Sequence, residues 1–245
     1  MIVSEKLNIT NLIIKTDNIR KLAQKIYEEY EKDADSDRKS INFILRGVDG
    51  TQYEGKDKEI FSHNGILDTR RIIEIEMRYT NYTNNKSIYI KLSHTVEYEW
   101  KNYILVSGPD ELWVNGVVKS YEDIISNWEK QVNWLHKYSI LLIMVFAVGI
   151  GLSFALLGLN LLYFISTDVI IHPFYYVVAI VFGMFPALYI VDKLKELYPI
   201  VELRTGPEYA QVEVRKRKKL YIIISIVVIP LVISFIIELI KIIIR

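Results

Sequence analysis

The chain has 245 residues, enough for one or two domains, with 30 Lys and Arg against 29 Asp and Glu for a net charge of +1. That balance gives no footing for nucleic acid as a partner, and the absence of cysteine removes disulfide frameworks, thiolate-held zinc, iron–sulfur clusters and thiol catalysis. A hydrophobic fraction of 51% beside 24% charge implies segregation: residues 1–138 carry 20 basic and 22 acidic side chains, whereas 139–245 carry 10 and 7 and nearly all the long apolar runs. The chain reads as a soluble domain joined to a membrane domain.

The opening MIVSEKLNIT has neither a basic nor an apolar leader region, so no cleaved signal peptide is expected. Residues 7–16 read as a strand, and Asp17 as the N-cap of a helix reaching about residue 33, with Ile19, Leu22, Ala23, Ile26, Tyr27 and Tyr30 on one face. A strand at 40–46 and its return at 51–55 flank the hairpin signal Asp49-Gly50. Residues 56–68 carry no clear period. In 70–80, Ile73, Ile75, Met77 and Tyr79 alternate with Glu74, Glu76 and Arg78; in 86–94, Ile88, Ile90 and Leu92 alternate with Tyr89 and Lys91. A last strand spans 95–107, with Val96, Tyr98 and Trp100 on one face, and Gly108-Pro109-Asp110 ends it. Trp113-Val114-Asn115-Gly116 reads as a packed turn, and a helix from about residue 121 to 137 runs toward the first apolar run. The expected parts are a cytosolic α+β domain (1–118), a connecting helix (119–138) and an all-α membrane domain (139–245).

Three runs lack charge: 139–167 (29 residues), 169–191 (23) and 220–237 (18). About 20 apolar residues cross a bilayer as a helix, so three transmembrane helices are expected near 139–162, 170–191 and 220–240, with a loop at 192–219. That loop holds Lys193, Lys195, Arg204, Arg215, Lys216, Arg217, Lys218 and Lys219, and the first connection holds no Lys or Arg. Basic loops stay inside, which places the N-terminal domain in the cytoplasm, the protein in the inner (cytoplasmic) membrane and the C-terminus outside. Arg215, Lys216, Arg217, Lys218 and Lys219 are a candidate contact with anionic lipid headgroups. Around residues 198–214 a short apolar–polar segment precedes Gly206-Pro207, either a plain linker or a place where the cytosolic domain couples to the spans. Glu238 and Lys241 sit three apart near the outer boundary, where they can pair.

Small residues recur every fourth position: Ala147, Gly151 and Ala155 in the first run, Ala179, Gly183 and Ala187 in the second, with Gly149 and Ser153 as a further pair. Such ladders let helix backbones approach closely, either within a hairpin of the first two spans or between subunits of a homo-oligomer. Pro186 and Pro230 lie inside the second and third runs.

His63, His94, His136 and His172 are scattered, and no nucleotide, zinc or nucleophile-elbow motif is present, so no catalytic, cofactor or metal residue is nominated and the chain is not expected to be an enzyme. Glu74, Glu76, Arg78, Lys91, Glu97, Glu99 and Lys101 suit cross-strand charge ladders on a solvated face.

The order strand, helix, antiparallel meander, helix resembles TBP-like or helix-grip architectures. A cytosolic domain followed by runs at Ser139, Val169 and Leu220 with small-residue ladders resembles small membrane effectors of bacterial antiphage systems. This resemblance implies a cytosolic sensor domain, coupled to an oligomerising membrane domain that disrupts the bilayer or opens a pore. The alternative is a membrane-tethered scaffold. Expected partners are the lipid bilayer, further copies of the chain and a small-molecule or protein ligand on the cytosolic domain.

Overall fold

The computed structural model describes residues 2–33, 38–94, 101–131, 134–165 and 174–207, with single positions at 209, 218, 221, 222 and 225. The chain forms two compact units: Met1–Asn133 with Tyr198–Glu213, and Trp134–Leu197 with Val214–Arg245.

The first unit is α+β. Its larger sheet is antiparallel, in the order β1 (Val3–Asn8), β7 (Tyr103–Gly108), β6 (Lys86–Ser93), β5 (Ile72–Asn81), β3 (Lys39–Gly47), β4 (Gln52–Gly55). Alternation sends Phe43, Leu45, Ile75, Met77, Tyr79, Ile88, Ile90, Ile104 and Val106 to one face, all fully buried. Two long helices contribute to that core, beside Leu67 of a short one. α1 (Thr16–Lys32) brings Ile19, Leu22, Ala23 and Ile26, and α3 (Glu111–Ser126) brings Val114, Val117, Val118 and Tyr121. A 3-10 turn (Lys58–Phe61) and the short α2 (Ile66–Thr69) fill residues 56–68, with Phe61 edge-on to Phe43 at 5.1 Å.

Several sequence expectations need correction. The first strand is two: Asn11 takes φ 58° and turns the chain from β1 into β2 (Leu12–Lys15), which leaves the large sheet for a second one. α1 starts after Lys15 with no side-chain cap, so Asp17 lies in its first turn rather than at its N-cap. Ile73 is only half-buried and Ile72 takes the core position, because the β3–β5 register slips between Arg46 and Gly47. Trp113–Gly116 is no turn but the start of α3, whose N-cap Asp110 accepts from the Leu112 N–H at 2.9 Å. Val96, Tyr98 and Trp100, with Glu97 and Glu99, lie outside the described residues.

The connecting helix at 119–138 is also not continuous. α3 stops at Ser126, where Ser126 Oγ (2.9 Å) and Asn127 Nδ2 (2.8 Å) both donate to the Asp123 carbonyl. Trp128, 6% exposed, then sinks into the core, and Glu129–Lys130 form a two-residue strand, β8, on β2. The next described helix is α4 (Trp134–Lys137). Burying an indole outweighs continuing a helix that no Gly or Pro interrupts.

In the second unit, α5 (Ser139–Ile165) and α6 (Phe174–Leu197) pack against each other. Val177–Leu197 is the one described helix long and apolar enough to cross a membrane; the apolar stretch Ser139–Ala155 of α5 is shorter. Of the third apolar run only Tyr221, Ile222 and Ser225 are described; Pro230, Glu238 and Lys241 fall outside the described residues.

Candidate functional site

Residues 198–213, read from sequence as part of a cytosolic loop, belong to the first unit. After α6 the chain forms β9 (Val201–Arg204), which pairs parallel to β2 from Leu12↔Val201 to Lys15↔Arg204. On the other side of β2 lies β8, antiparallel, and Gln131 N–H donates to the Asn11 carbonyl at 2.7 Å. The small sheet is therefore β8-β2-β9. The strand before the α4–α6 segment and the strand after it grip the same four-residue strand, and β2 runs directly into α1.

Apolar burial explains why so short a strand holds. Val201 is 0% and Leu203 1% exposed, and Ile200 and both strand residues join the main core. Between them Glu202 is fully buried. Its carboxylate accepts from Gln131 Nε2 at 2.5 Å, from Arg204 Nε at 2.9 Å and from the Tyr209 hydroxyl. A buried carboxylate needs such donors, since desolvation without them is strongly unfavourable. Burial works against the Arg204 charge, but the bond to Glu202 together with the charges of Glu202, Tyr209 and Glu129 outweighs it and holds the guanidinium above its ordinary value. Outside this node Lys15 pairs with Glu129 at 2.8 Å and holds that carboxyl below its usual range.

The next residues lock the segment in place. The Thr205 hydroxyl accepts from the Ile72 N–H at 2.7 Å and donates to the Ile72 carbonyl at 3.3 Å. Gly206, at φ 68°, lies so close to Arg70 that a Cβ would stand 2.7 Å from its carbonyl group, which only glycine tolerates. Leu203 N–H approaches His94 Nδ1 at 3.4 Å, and the His94 and Tyr209 rings meet edge-on at 6.3 Å. Sequence reading marked the Thr205-Gly206-Pro207 turn and the apolar–polar segment, and placed Trp128 in an aromatic belt at the membrane boundary, whereas Trp128 lies in the core of the α+β unit; it did not mark Glu202, Gln131 or Tyr209. The one available signal was an acid flanked by Ile200, Val201 and Leu203.

The two ladders of small residues face the α5–α6 interface. Ala147, Gly151, Ala155, Ala179, Gly183 and Ala187 are buried. A Cβ on Gly151 would stand 2.5 Å from Ile180 Cα, and one on Gly183 would collide with the Ala147 carbonyl oxygen and stand 2.7 Å from Gly151 N. The ladders thus close a hairpin within one chain. Gly149 has open space around it, and Ser153 Oγ bonds back to its carbonyl at 2.8 Å. Large apolar side chains point away from the hairpin seam: Met144, Phe154, Phe182, Phe185 and Tyr189 are all exposed. Of the basic run, Lys218 is an exposed helical position; Arg215, Lys216, Arg217 and Lys219 lie outside the described residues.

On the polar face of the large sheet, Arg46 bridges Glu74 and, at 3.0 Å, Glu76, while Lys91 reaches both at 3.4 Å. Burial pushes the Glu76 carboxyl up, but hydrogen bonds with Arg46, Glu74 and Tyr89 and the Lys91 charge outweigh it, holding it at about 2. The ladder foreseen from Glu74, Glu76 and Lys91 is present, with Arg46 as its unforeseen hub. No group of three His, Asp or Glu gathers in metal-binding geometry among the described residues.

Compared with family models, curated proteins and solved structures, the chain matches none, so its reading rests on its own geometry.

Proposed function

We propose that this protein is an integral membrane effector: a cytosolic helix-grip domain that binds a ligand and transmits the bound state to a three-span membrane domain. In this reading the spans follow the sequence runs, the α+β unit lies in the cytoplasm, and the C-terminus lies outside. The inner membrane of a bacterial cell and a role in defence, as in the antiphage effectors that the layout resembles, complete it. The observation that carries it is the shared strand β2, which holds both the entry strand β8 and the return strand β9 of the membrane hairpin. A passive tether needs one attachment, whereas a domain that grips both ends of a hairpin can alter its geometry. The exposed apolar faces of α5 and α6 support burial in lipid. The small-residue ladders are filled by the hairpin, so self-association would use the large outward side chains instead.

The cysteine-free chain allows a clean test. Lys119→Cys, on an exposed position, and Arg245→Cys should react with a membrane-impermeant maleimide from opposite sides. Labelling from one side would refute the three-span layout. For activity, cells expressing the intact chain, or the clamp-weakened Glu202→Ala chain, should take up propidium or lose membrane potential. If neither does, the effector reading fails and a tethered scaffold replaces it.

A further inference from the structure

A cavity of about 530 Å³ lies beside α1, within the size range of small-molecule sites. Its floor is apolar: Ala23 is 1% and Phe61 2% exposed, and Ile124 of α3 is half-buried. Its rim carries Arg20, Lys21, Lys25 and Lys58 against a single acid, Glu28.

These charges are not equivalent. Arg20 donates to the Phe61 carbonyl (2.9 Å), Asp17 (3.0 Å) and Asp68 (2.5 Å), so its charge is compensated and it acts as a strut fixing the wall at 58–68 to α1. Lys21 and Lys58 have no carboxylate within salt-bridge distance among the described residues. Lys58 rests on the Tyr27 ring at 4.7 Å, and Lys25 has only a distant partner, Glu29 at 3.9 Å. Glu29 is already engaged by Lys32 at 2.6 Å, and Glu28 by Gln24 at 3.1 Å. Three ammonium groups thus face one occupied carboxylate.

A neighbouring cavity of about 310 Å³, sharing Lys25, provides the contrast. There Lys32 is paired with Glu29, and Lys86 with Asp33 at 3.3 Å. Its own cations, Lys32 and Lys86, each have a close carboxylate, and only the shared Lys25 lacks one.

We infer that the α1 cavity binds a small phosphorylated molecule, its phosphate dianion held by Lys21, Lys25 and Lys58 and its ring or acyl body laid on Ala23, Phe61 and Ile124. The excess of positive charge matches a phosphate dianion better than a single carboxylate. The wall is pre-fixed by Arg20, which lowers the ordering cost of binding. α1 begins directly after β2, the strand between β8 and β9, so a ligand held on α1 acts on the clamp. This last step, unlike binding itself, rests on the effector reading above.

The test uses the full chain in detergent and two phosphorylated probes, adenosine 5′-monophosphate and dihexanoyl phosphatidic acid, which separate a nucleotide from a lipid source. Adenosine is the uncharged control. At least one phosphorylated probe should bind, with adenosine at least ~10-fold weaker and affinity falling as salt rises. Lys21→Glu and Lys58→Glu should each weaken binding by roughly 10-fold or more; Lys21→Glu should do so without moving the melting temperature, because Lys21 holds no ion pair among the described residues, whereas Lys58→Glu also loses the contact with the Tyr27 ring. Lys119→Glu, on α3 away from the cavity, should leave affinity unchanged. No binding of either phosphorylated probe, equal binding of adenosine, or an equal loss in Lys119→Glu would overturn the site. Binding that leaves amide exchange at Val201–Arg204 unaltered would sink the coupling while the site stands.

Discussion

Replacing Glu202 with alanine should unfasten the return segment, and the structure sets the scale. The carboxylate is fully buried and accepts from Gln131, Arg204 and Tyr209 among the described residues. Gln131, 9% exposed, and Tyr209, 4%, each lose this acceptor in a buried place, at about 1–3 kcal/mol per group left without a replacement. Arg204, with 32% of its side chain exposed and Glu129 within 4.0 Å, can turn to water or to that second acid and contributes least. About 3 kcal/mol in total is expected, at the low end for breaking a buried ion pair. For a folded unit of this size that corresponds to a fall of about 6–12 °C in melting temperature. Glu202→Gln keeps the shape and one acceptor oxygen and should lose less than half as much. Melting in detergent followed by tryptophan fluorescence reads the global loss, and hydrogen exchange at Val201–Arg204 reads the local one. If Glu202→Ala melts within about 2 °C of wild type, with β9 exchange unchanged, the carboxylate does not hold the clamp.

Two further outcomes follow from the same geometry. Glu76 titrates at about 2 when folded against an ordinary 4.5, so its stabilisation is present above 4.5 and is lost as pH falls from there toward 2. Glu76→Gln should flatten the acid limb of a urea-midpoint-against-pH curve by a few kcal/mol at most, and an unchanged limb would count against the network. In the hairpin, Gly183→Ala forces a methyl into backbone atoms of Ala147 and Gly151 and should destabilise by about 1–3 kcal/mol, whereas Gly149→Ala meets nothing within 4 Å. Equal melting temperatures for the two variants would contradict the packing.

How much of this was visible in the sequence depends on how local each cause is. Strands β3, β5 and β6 announce themselves because one face is buried and the other polar, so period-two alternation survives. Ile73 misleads because it is the extra residue of a bulge in β5, opposite Arg46/Gly47, a feature that shows only once the partner strand β3 is in place. The end of α3 depends on Trp128 finding the core, and that core is built from residues far away in sequence. β9 is four residues long, and its partner β2 lies near the opposite end of the chain, so neither length nor periodicity marks it. Gly206 could be read as a turn, but not as a contact with Arg70. The small-residue ladders were legible as close-packing surfaces, yet spacing alone does not say whether the second helix belongs to the same chain.

The parallel pairing of β2 with β9 carries a further consequence. Parallel strands require a long crossover, and here the returning strand arrives only after α3, β8 and both hairpin helices. It is therefore the last strand of the α+β unit in chain order, and its four-residue ladder is short. Burial of Val201 and Leu203, the Glu202 node and the Thr205 bonds to Ile72 supply the rest. Elements of this kind open at a smaller free energy than the central strands of a sheet. Under the effector reading that is where a switch belongs: release of β9 would free one end of the hairpin while the six-stranded sheet and its helices remain folded. In that reading a ligand that favoured one position of α1 would act through β2 on both ends of the hairpin at once, and its leverage would equal its difference in affinity for the gripped and released states.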